Sequence, residues 1–305
     1  MIVTPWQAAR LSAAIALLAA SANASAARQF AAATDVVRVY VSVIDPSGSP
    51  VEGLTATDFE VKDDGVRQQV TVFSAGELPL SLAVVVDRSF SMAGDPLRTA
   101  RAGATRLVRE ATSADRMAIV ALGSGVETPA PFDSPPSAAL DALTDLQPWG
   151  TTPLGQAVEA ALEALDGQRG RRAVVLFTDG RGRYDPADRA DLLARVRRSD
   201  VLVYPMVVGK ADVSLLVELA ALSGGHAVRV GDPLEAGREA AKLTRELRRQ
   251  YLIGYQPAGA DSGEAGWHAI SVAVPGRNVV VRARTGYFRS AVPAGASLQR
   301  PAASN

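Results

Sequence analysis

The sequence predicts a doubly wound, mostly parallel α/β sheet unit inserted in a β-sandwich-like unit built from the two ends of the chain. Three observations carry this expectation. Residues 80–87 (LSLAVVVD), 117–122, the run RRAVVLFT ending at Thr178, and 201–208 (VLVYPMVV) are apolar on both faces, as strands buried in a parallel sheet are. Segments of about 10–15 residues with helical spacing separate them, the alternation of βαβ units. Residues 34–79 and 250–290 carry only β signals, and neither has enough strands to be stable alone. The two are therefore expected to pair, with the α/β unit, 80–249, between them.

In order along the chain, residues 36–43 (VVRVYVSV) read as a β-branched strand, Asp45-Pro46-Ser47-Gly48 as a turn, and 58–62 with 69–73 as a hairpin around Asp63-Asp64-Gly65. In the α/β unit, Asp95-Pro96 reads as N-cap and first helical residue, and Leu97, Ala100, Ala104, Leu107 and Val108 share one helix face. Residues 126–132 are broken by prolines and fit only an edge strand. Helices over 153–165, 186–197, 213–222 and 233–249 and a short strand over 226–230 complete the unit, whose ligands belong beyond the carboxyl ends of the strands. The runs 250–257, 267–275 and 278–288 are the returning β strands, and 291–305 reads as a flexible tail.

At 305 residues the chain has roughly two domains' worth of length. Its 32 basic and 32 acidic side chains cancel, which removes the charge that nucleic-acid binders use to neutralise phosphates, so no nucleic-acid partner is expected. A hydrophobic content of 48% excludes a disordered chain. With no cysteine, disulfides, thiolate nucleophiles, Cys-ligated zinc and iron–sulfur clusters are all excluded. Residues 1–26 carry a single charge, Arg10, then an apolar run and the small-residue steps Ala22-Asn23-Ala24 and Ala24-Ser25-Ala26, the order of a secretory signal peptide. The apolar run is shorter than the about 20 residues a spanning helix needs. No later segment is long and apolar enough, so the mature chain is expected without a transmembrane helix and exported: periplasmic, secreted or on the cell surface.

The chemistry concentrates where the first buried strand ends, at Asp87-Arg88-Ser89-Phe90-Ser91. A carboxylate followed at two and four residues by hydroxyls places hard oxygen donors in a loop leaving a parallel strand, and such donors suit magnesium, calcium or manganese. Two other segments at strand and helix boundaries add similar donors: Gly150-Thr151-Thr152-Pro153-Leu154 and Thr178-Asp179-Gly180.

These residues resemble the von Willebrand factor type A domain with its metal-ion-dependent adhesion site, D-x-S-x-S plus a threonine and an aspartate from two later loops. The resemblance covers about residues 80–249. It implies that Asp87, Ser89 and Ser91 are first-loop metal ligands, Thr152 the second-loop ligand and Asp179 the third-loop carboxylate, bound directly or through water; Thr152 is preferred to Thr151 because it stands two residues before Leu154. The stretches QYLIGY and RARTGYF also look like those of a group of bacterial exported proteins that carry this domain. On this basis Mg2+ (or Ca2+ or Mn2+) is the expected cofactor, and a protein or matrix ligand presenting Asp or Glu is the expected partner. The function expected is that of an exported, non-enzymatic binding or adhesion module. A metal-dependent hydrolase using the same open site and a structural envelope protein with a vestigial site are the alternatives.

Phe90 stands where the family usually has a small residue; its side chain either points outward beside the open position, adding apolar contact to a partner, or reshapes the loop. Thr152 also reads as an N-cap ahead of Pro153. Trp149 and Trp267 are candidate exposed anchors. His226 and His268 lie on different units and read as ordinary positions, and Arg245, Arg248 and Arg249 as the solvated basic end of a helix.

Overall fold

A strand that is apolar on both faces needs a cover on each side, and the four such runs form the middle of one sheet. The computed structural model describes residues 36–182, 186–211, 213–257 and 265–289, so the signal-like segment 1–26 and the tail 291–305 lie outside the described residues. β1 (Val37–Ile44), β2 (Glu60–Asp63), β3 (Val66–Gln68) and β4 (Val70–Ser74) come first. β5 (Leu80–Asp87) opens the α/β unit and is followed by α1 (Asp95–Glu110), β6 (Arg116–Leu122), β7 (Val126–Ala130), α2 (Pro136–Asp145), α3 (Leu154–Leu165), β8 (Arg171–Thr178), α4 (Pro186–Arg198), β9 (Leu202–Val208), α5 (Ser214–Ser223), β10 (Val228–Val230) and α6 (Pro233–Arg248). β11 (Tyr251–Tyr255), β12 (Gly266–Ala273), β13 (Val280–Arg282) and β14 (Gly286–Arg289) follow.

The main sheet has the order β10-β9-β8-β5-β6-β7 and is parallel except for β7, the antiparallel edge strand. Leu82, Val84 and Val86 of β5 pack on one face with Leu107 of α1 and Ala240 and Leu247 of α6. Ala83 and Val85 pack on the other with Ala157 and Val158 of α3 and Leu216 of α5. All eight residues of β5 are buried. At roughly 1.5–3 kcal/mol per buried Val or Leu side chain, this packing fixes the register of β5 and carries its last residue, Asp87, into the interior. A Cβ on Gly103 of α1 would lie 2.4 Å from the Phe177 ring of β8, so this helix reaches the sheet at a distance only glycine allows.

Two four-stranded sheets, β13-β1-β11-β4 and β14-β12-β2-β3, each combine strands from both ends of the chain. Val39, Val41 and Ile253 of the first face Val61, Ile270 and Tyr287 of the second in a third core. The result is the expected sandwich with the α/β unit inserted. Its strand pairing differs from expectation in two places. The hairpin partner of β2 is β3, while β4 crosses to the other sheet and pairs with β11. The run 278–288 is not one strand but β13 and β14, in different sheets. Both runs divide where the chain passes from one layer of the sandwich to the other, a step that leaves no break in the residue pattern.

Two features of the α/β unit were not expected. Helix α2 follows Pro135 and begins at Pro136; its buried Ala139 and Leu143 keep helical spacing, but the proline-rich lead masks it. The N-cap of α1 is Gly94, at φ 83°, with Asp95 inside the first turn.

Polar groups with little exposure brace the α/β unit where it meets the sandwich, and others cross from one unit to the other. Asp115 Oδ1 accepts from the Leu80 N–H at 2.9 Å, and Oδ2 accepts from the Thr112 N–H at 2.7 Å and from Arg248 at 2.6 Å. Arg248 is therefore the partner of a fully buried carboxylate rather than part of a solvated helix end, and Arg249 pairs with Glu52. Burial would raise the Asp115 carboxyl, but the hydrogen bonds from Thr112, Arg248 and Leu80 outweigh it and hold it below its usual value. Arg171 is fully buried, which lowers its guanidinium to about 10; it donates to the Gln250 carbonyl and lies over the Tyr40 ring. The Gln250 amide donates in turn to Ser42 and Tyr204.

Asp115→Ala leaves Arg248 and the Leu80 N–H without their partner, and urea unfolding should show a loss of about 3–5 kcal/mol at neutral pH. Because the folded pKa of Asp115 is lowered, its contribution is present above 3.8 and disappears as pH falls through the folded value, so the two proteins should converge in acid.

Candidate metal centre

The site begins with the burial of β5. Asp87 has no exposed surface, and its Oδ1 accepts the Ser89 N–H at 2.9 Å, a turn that aspartate favours and that folds the loop back over the strand end. Oδ2 accepts from the Thr178 hydroxyl at 2.7 Å, at the end of neighbouring β8. Ser89 is buried and its Oγ lies 3.2 Å from that of Ser91. A single 3-10 turn, Phe90–Met92, follows, with Met92 buried beneath it and Phe90 outside.

The second loop is tied to the first through the main chain. The Phe90 N–H donates to the Gly150 carbonyl at 3.0 Å, and the Trp149 N–H donates to the Arg88 carbonyl at 2.6 Å. Gly150 has φ 76°, and a Cβ there would lie within 2.6 Å of three Ser124 atoms, so glycine is required on both counts. Thr152 follows two residues on and is half-buried. It is not the helix N-cap: Pro153 holds that position, and the Thr152 carbonyl accepts from the Leu154 N–H. The proline fixes the turn, so the hydroxyl is not needed as a cap.

In the third loop Asp179 is buried. Its Oδ1 accepts the Arg181 N–H at 3.0 Å, whereas Oδ2 is buried without a hydrogen bond, 3.5 Å from Nε of the largely exposed Arg181. The structure thus places Asp87, Ser89, Ser91, Thr152 and Asp179 in three loops at one edge of the sheet. It brings the first three into a single bonded turn and ties the Thr152 loop to it. Thr178 lay beside Asp179 in the sequence, but its bond to Asp87 becomes visible only when β8 is placed next to β5.

Charge is what this site lacks. Among the described residues no basic side chain pairs with Asp87, and the adjacent Arg88 is turned to Glu127 at 2.8 Å. Burial raises the Asp87 carboxyl above its usual value, the Ser89 and Thr178 hydrogen bonds pull the other way, and the neighbouring Asp179 charge adds to the rise. Two buried carboxylates, one with an oxygen that accepts no hydrogen bond, and a pair of hydroxyls form a hard-oxygen donor set that suits a divalent cation.

The histidines stand apart from this edge. His226 precedes β10, at the opposite end of the sheet, with its ring edge-on to Tyr204 and Nδ1 3.8 Å from Glu246. His268 is more engaged than its sequence suggested: with Asp63 and Asp64 it forms a group whose ligand-type atoms lie within 4.8 Å of one another. Three of the four carboxylate oxygens of that group already have close partners. Tyr287 donates to Asp63, the Ala269 N–H donates to Asp64, and His268 Nδ1 lies 2.8 Å from Asp64 Oδ2.

Residues 82–181, which span all three loops, match the profile of the von Willebrand factor type A domain. The chain carries a von Willebrand factor type A domain. A solved von Willebrand factor type A protein from Catenulispora acidiphila is similar at 14% identity and TM-score 0.52, over 82% of this chain and 73% of that one. Proximal thread matrix protein 1 from the mussel byssus is similar at 16% identity and TM-score 0.51, over 61% of this chain and 51% of that one. A form of the mussel protein with a zinc-occupied MIDAS motif aligns at 19% identity and TM-score 0.46, over 61% of this chain and 49% of that one. No curated protein matches the chain. No helix of the described residues is long and apolar enough to cross a membrane.

Thr178→Val keeps the side-chain shape and removes the donor to a buried carboxylate. Denaturant unfolding without added metal should show a loss of about 1.5–3 kcal/mol; a loss under about 0.5 kcal/mol would mean that the bond does not hold Asp87 in place.

Proposed function

We propose that this protein is an exported, non-enzymatic binding module that holds a divalent cation at its von Willebrand factor type A domain and binds an acidic residue of a protein partner there. The observation that carries the reading is the burial of Asp87 with no cationic partner among the described residues, beside Asp179 Oδ2, which accepts no hydrogen bond. Asp87, Ser89, Ser91, Thr152 and Asp179 are the residues that would hold the ion. Mg2+, or Ca2+ or Mn2+ with the same oxygen preference, supplies the positive charge that attracts a partner's Asp or Glu carboxylate.

The chain's own residues do the positioning. The Ser89 N–H and Thr178 hydroxyl orient the two oxygens of Asp87, Met92 anchors the turn that carries Ser91, and the Gly150 carbonyl fixes the second loop against the first. A binding role is favoured over hydrolysis because the hydroxyls and carboxylates of these loops include no imidazole to serve as base, and both histidines lie elsewhere. The signal-like first 26 residues support export, and the sandwich then serves as the scaffold that displays the domain.

Asp87→Asn separates the charge from the shape. Without metal the variant should be the more stable protein in thermal unfolding, because it removes a buried, unpaired charge. A carboxyl whose folded pKa is raised costs stability when ionised; that cost is full above its folded pKa and gone below 3.8, so the advantage of the variant should vanish in acid. With Mg2+ at one hundred times its Kd, wild type should gain about 2.7 kcal/mol, on the order of 4 °C for a chain of this size, and Asp87→Asn should gain nothing. Equal gains in the two proteins, or none in wild type with Mg2+, Ca2+ or Mn2+, would contradict the reading.

A further inference from the structure

The rim of the metal centre carries two large aromatic side chains whose exposure the fold does not require. Phe90 is 64% exposed and Trp149 is 53% exposed, and their rings meet edge-on with centroids 6.5 Å apart. They belong to different loops: Phe90 stands between the candidate ligands Ser89 and Ser91, and Trp149 three residues before Thr152. We propose that Phe90 and Trp149 form an apolar clamp beside the metal, so that the partner is a protein segment whose metal-binding Asp or Glu has a bulky apolar residue next to it. The proposal rests on the metal-bridged reading above and adds to it the second half of the recognition element.

The backbones that carry the two rings are held in place before any partner arrives. The Phe90 N–H is bonded to the Gly150 carbonyl and the Trp149 N–H to the Arg88 carbonyl, so each aromatic residue is fixed by the main chain of the other's loop. Gly123 gives the room: a Cβ there would lie 2.5 Å from the Trp149 carbonyl and 3.3 Å from its indole. Below the turn, buried Met92 keeps Phe90 on the outside. Preorganised aromatic groups lose little freedom on binding, and aromatic anchors beside a desolvated charge are where interface energy concentrates.

Charge selects the same kind of segment. Arg88 is paired with Glu127 and Arg181 lies 3.5 Å from Asp179, so the positive charge left to attract an acidic group is that of the bound ion. A segment with only an acid would leave both rings in water. One with only an apolar residue would leave the ion without a carboxylate.

The test uses synthetic peptides with one Glu in a Gly/Ser background and Gly, Leu or Phe beside it, titrated onto the full chain in Mg2+ or in EDTA, with Mg2+ affinity measured separately by calorimetry. A Leu or Phe neighbour should tighten binding at least tenfold over Gly, about 1.4 kcal/mol. In Phe90→Gly and in Trp149→Ala that gain should fall below threefold while calorimetry still shows Mg2+ bound. Trp149 fluorescence should shift with the Phe peptide and not with the Gly peptide. Mg2+ binding with no neighbour preference, with an unchanged preference in both variants, with no peptide bound, or with a uronic-acid oligosaccharide bound in preference to every peptide would overturn the clamp and leave the metal reading standing. Peptide binding that survives EDTA, or wild type that binds no Mg2+, would instead overturn the reading on which the clamp rests.

Discussion

A carboxylate at the end of a strand buried along its whole length is the constraint that organises this molecule. β5 lies between β6 and β8 and is covered by helices on both faces, so its register is set by many apolar contacts and Asp87 has no route to water that does not expose them. The surrounding loops follow from that fixed point. Ser89 and Thr178 use the two Asp87 oxygens, the turn after Ser89 presents Ser91, and main-chain bonds from Phe90 and Trp149 draw in the loop that carries Thr152. None of these contacts supplies the positive charge that a buried carboxylate requires, and a hard cation is the group this donor set accommodates.

The other end of the same strand lies where the α/β unit meets the sandwich, and its own contacts brace that end of the unit. The Leu80 N–H is bonded to Asp115, which also takes Arg248 at the end of α6, just before the chain enters the sandwich at β11. Eight residues of parallel strand span about 26 Å, so one rigid element connects the inter-unit junction to the metal edge. The buried Arg171 and the Gln250 side chain strengthen that junction from β8 and from the start of β11. Among the described residues, the sandwich packs at the opposite end of the sheet from the three loops.

Much of this was legible in the residue pattern, for a physical reason. Strands apolar on both faces and helices of matching spacing declare a covered parallel sheet, and oxygen-bearing residues at the strand ends mark its carboxyl edge as the place of a candidate site. What the pattern missed depends on contacts between residues distant in sequence. Asp115 looks like a loop aspartate until Arg248 and Leu80 are placed on it. Thr178 reads as a strand end until β8 lies beside β5, and Trp149 and Phe90 are separate aromatics until Gly150 joins their loops. The runs that became β3 and β4, and β13 and β14, carry continuous β signals across the points where the chain changes layers. Helix α2 was lost behind two prolines, and His268 looked isolated because Asp63 and Asp64 come from the other end of the chain.

The central claim is that the oxygen donors of three loops at one sheet edge hold a single divalent cation. A crystal soaked in Mn2+ and measured at the manganese absorption edge tests it without reference to any partner. The account predicts one anomalous peak per chain, enclosed by Asp87, Ser89, Ser91, Thr152 and Asp179. No peak at those loops, or a peak only at the Asp63, Asp64 and His268 group, would contradict it.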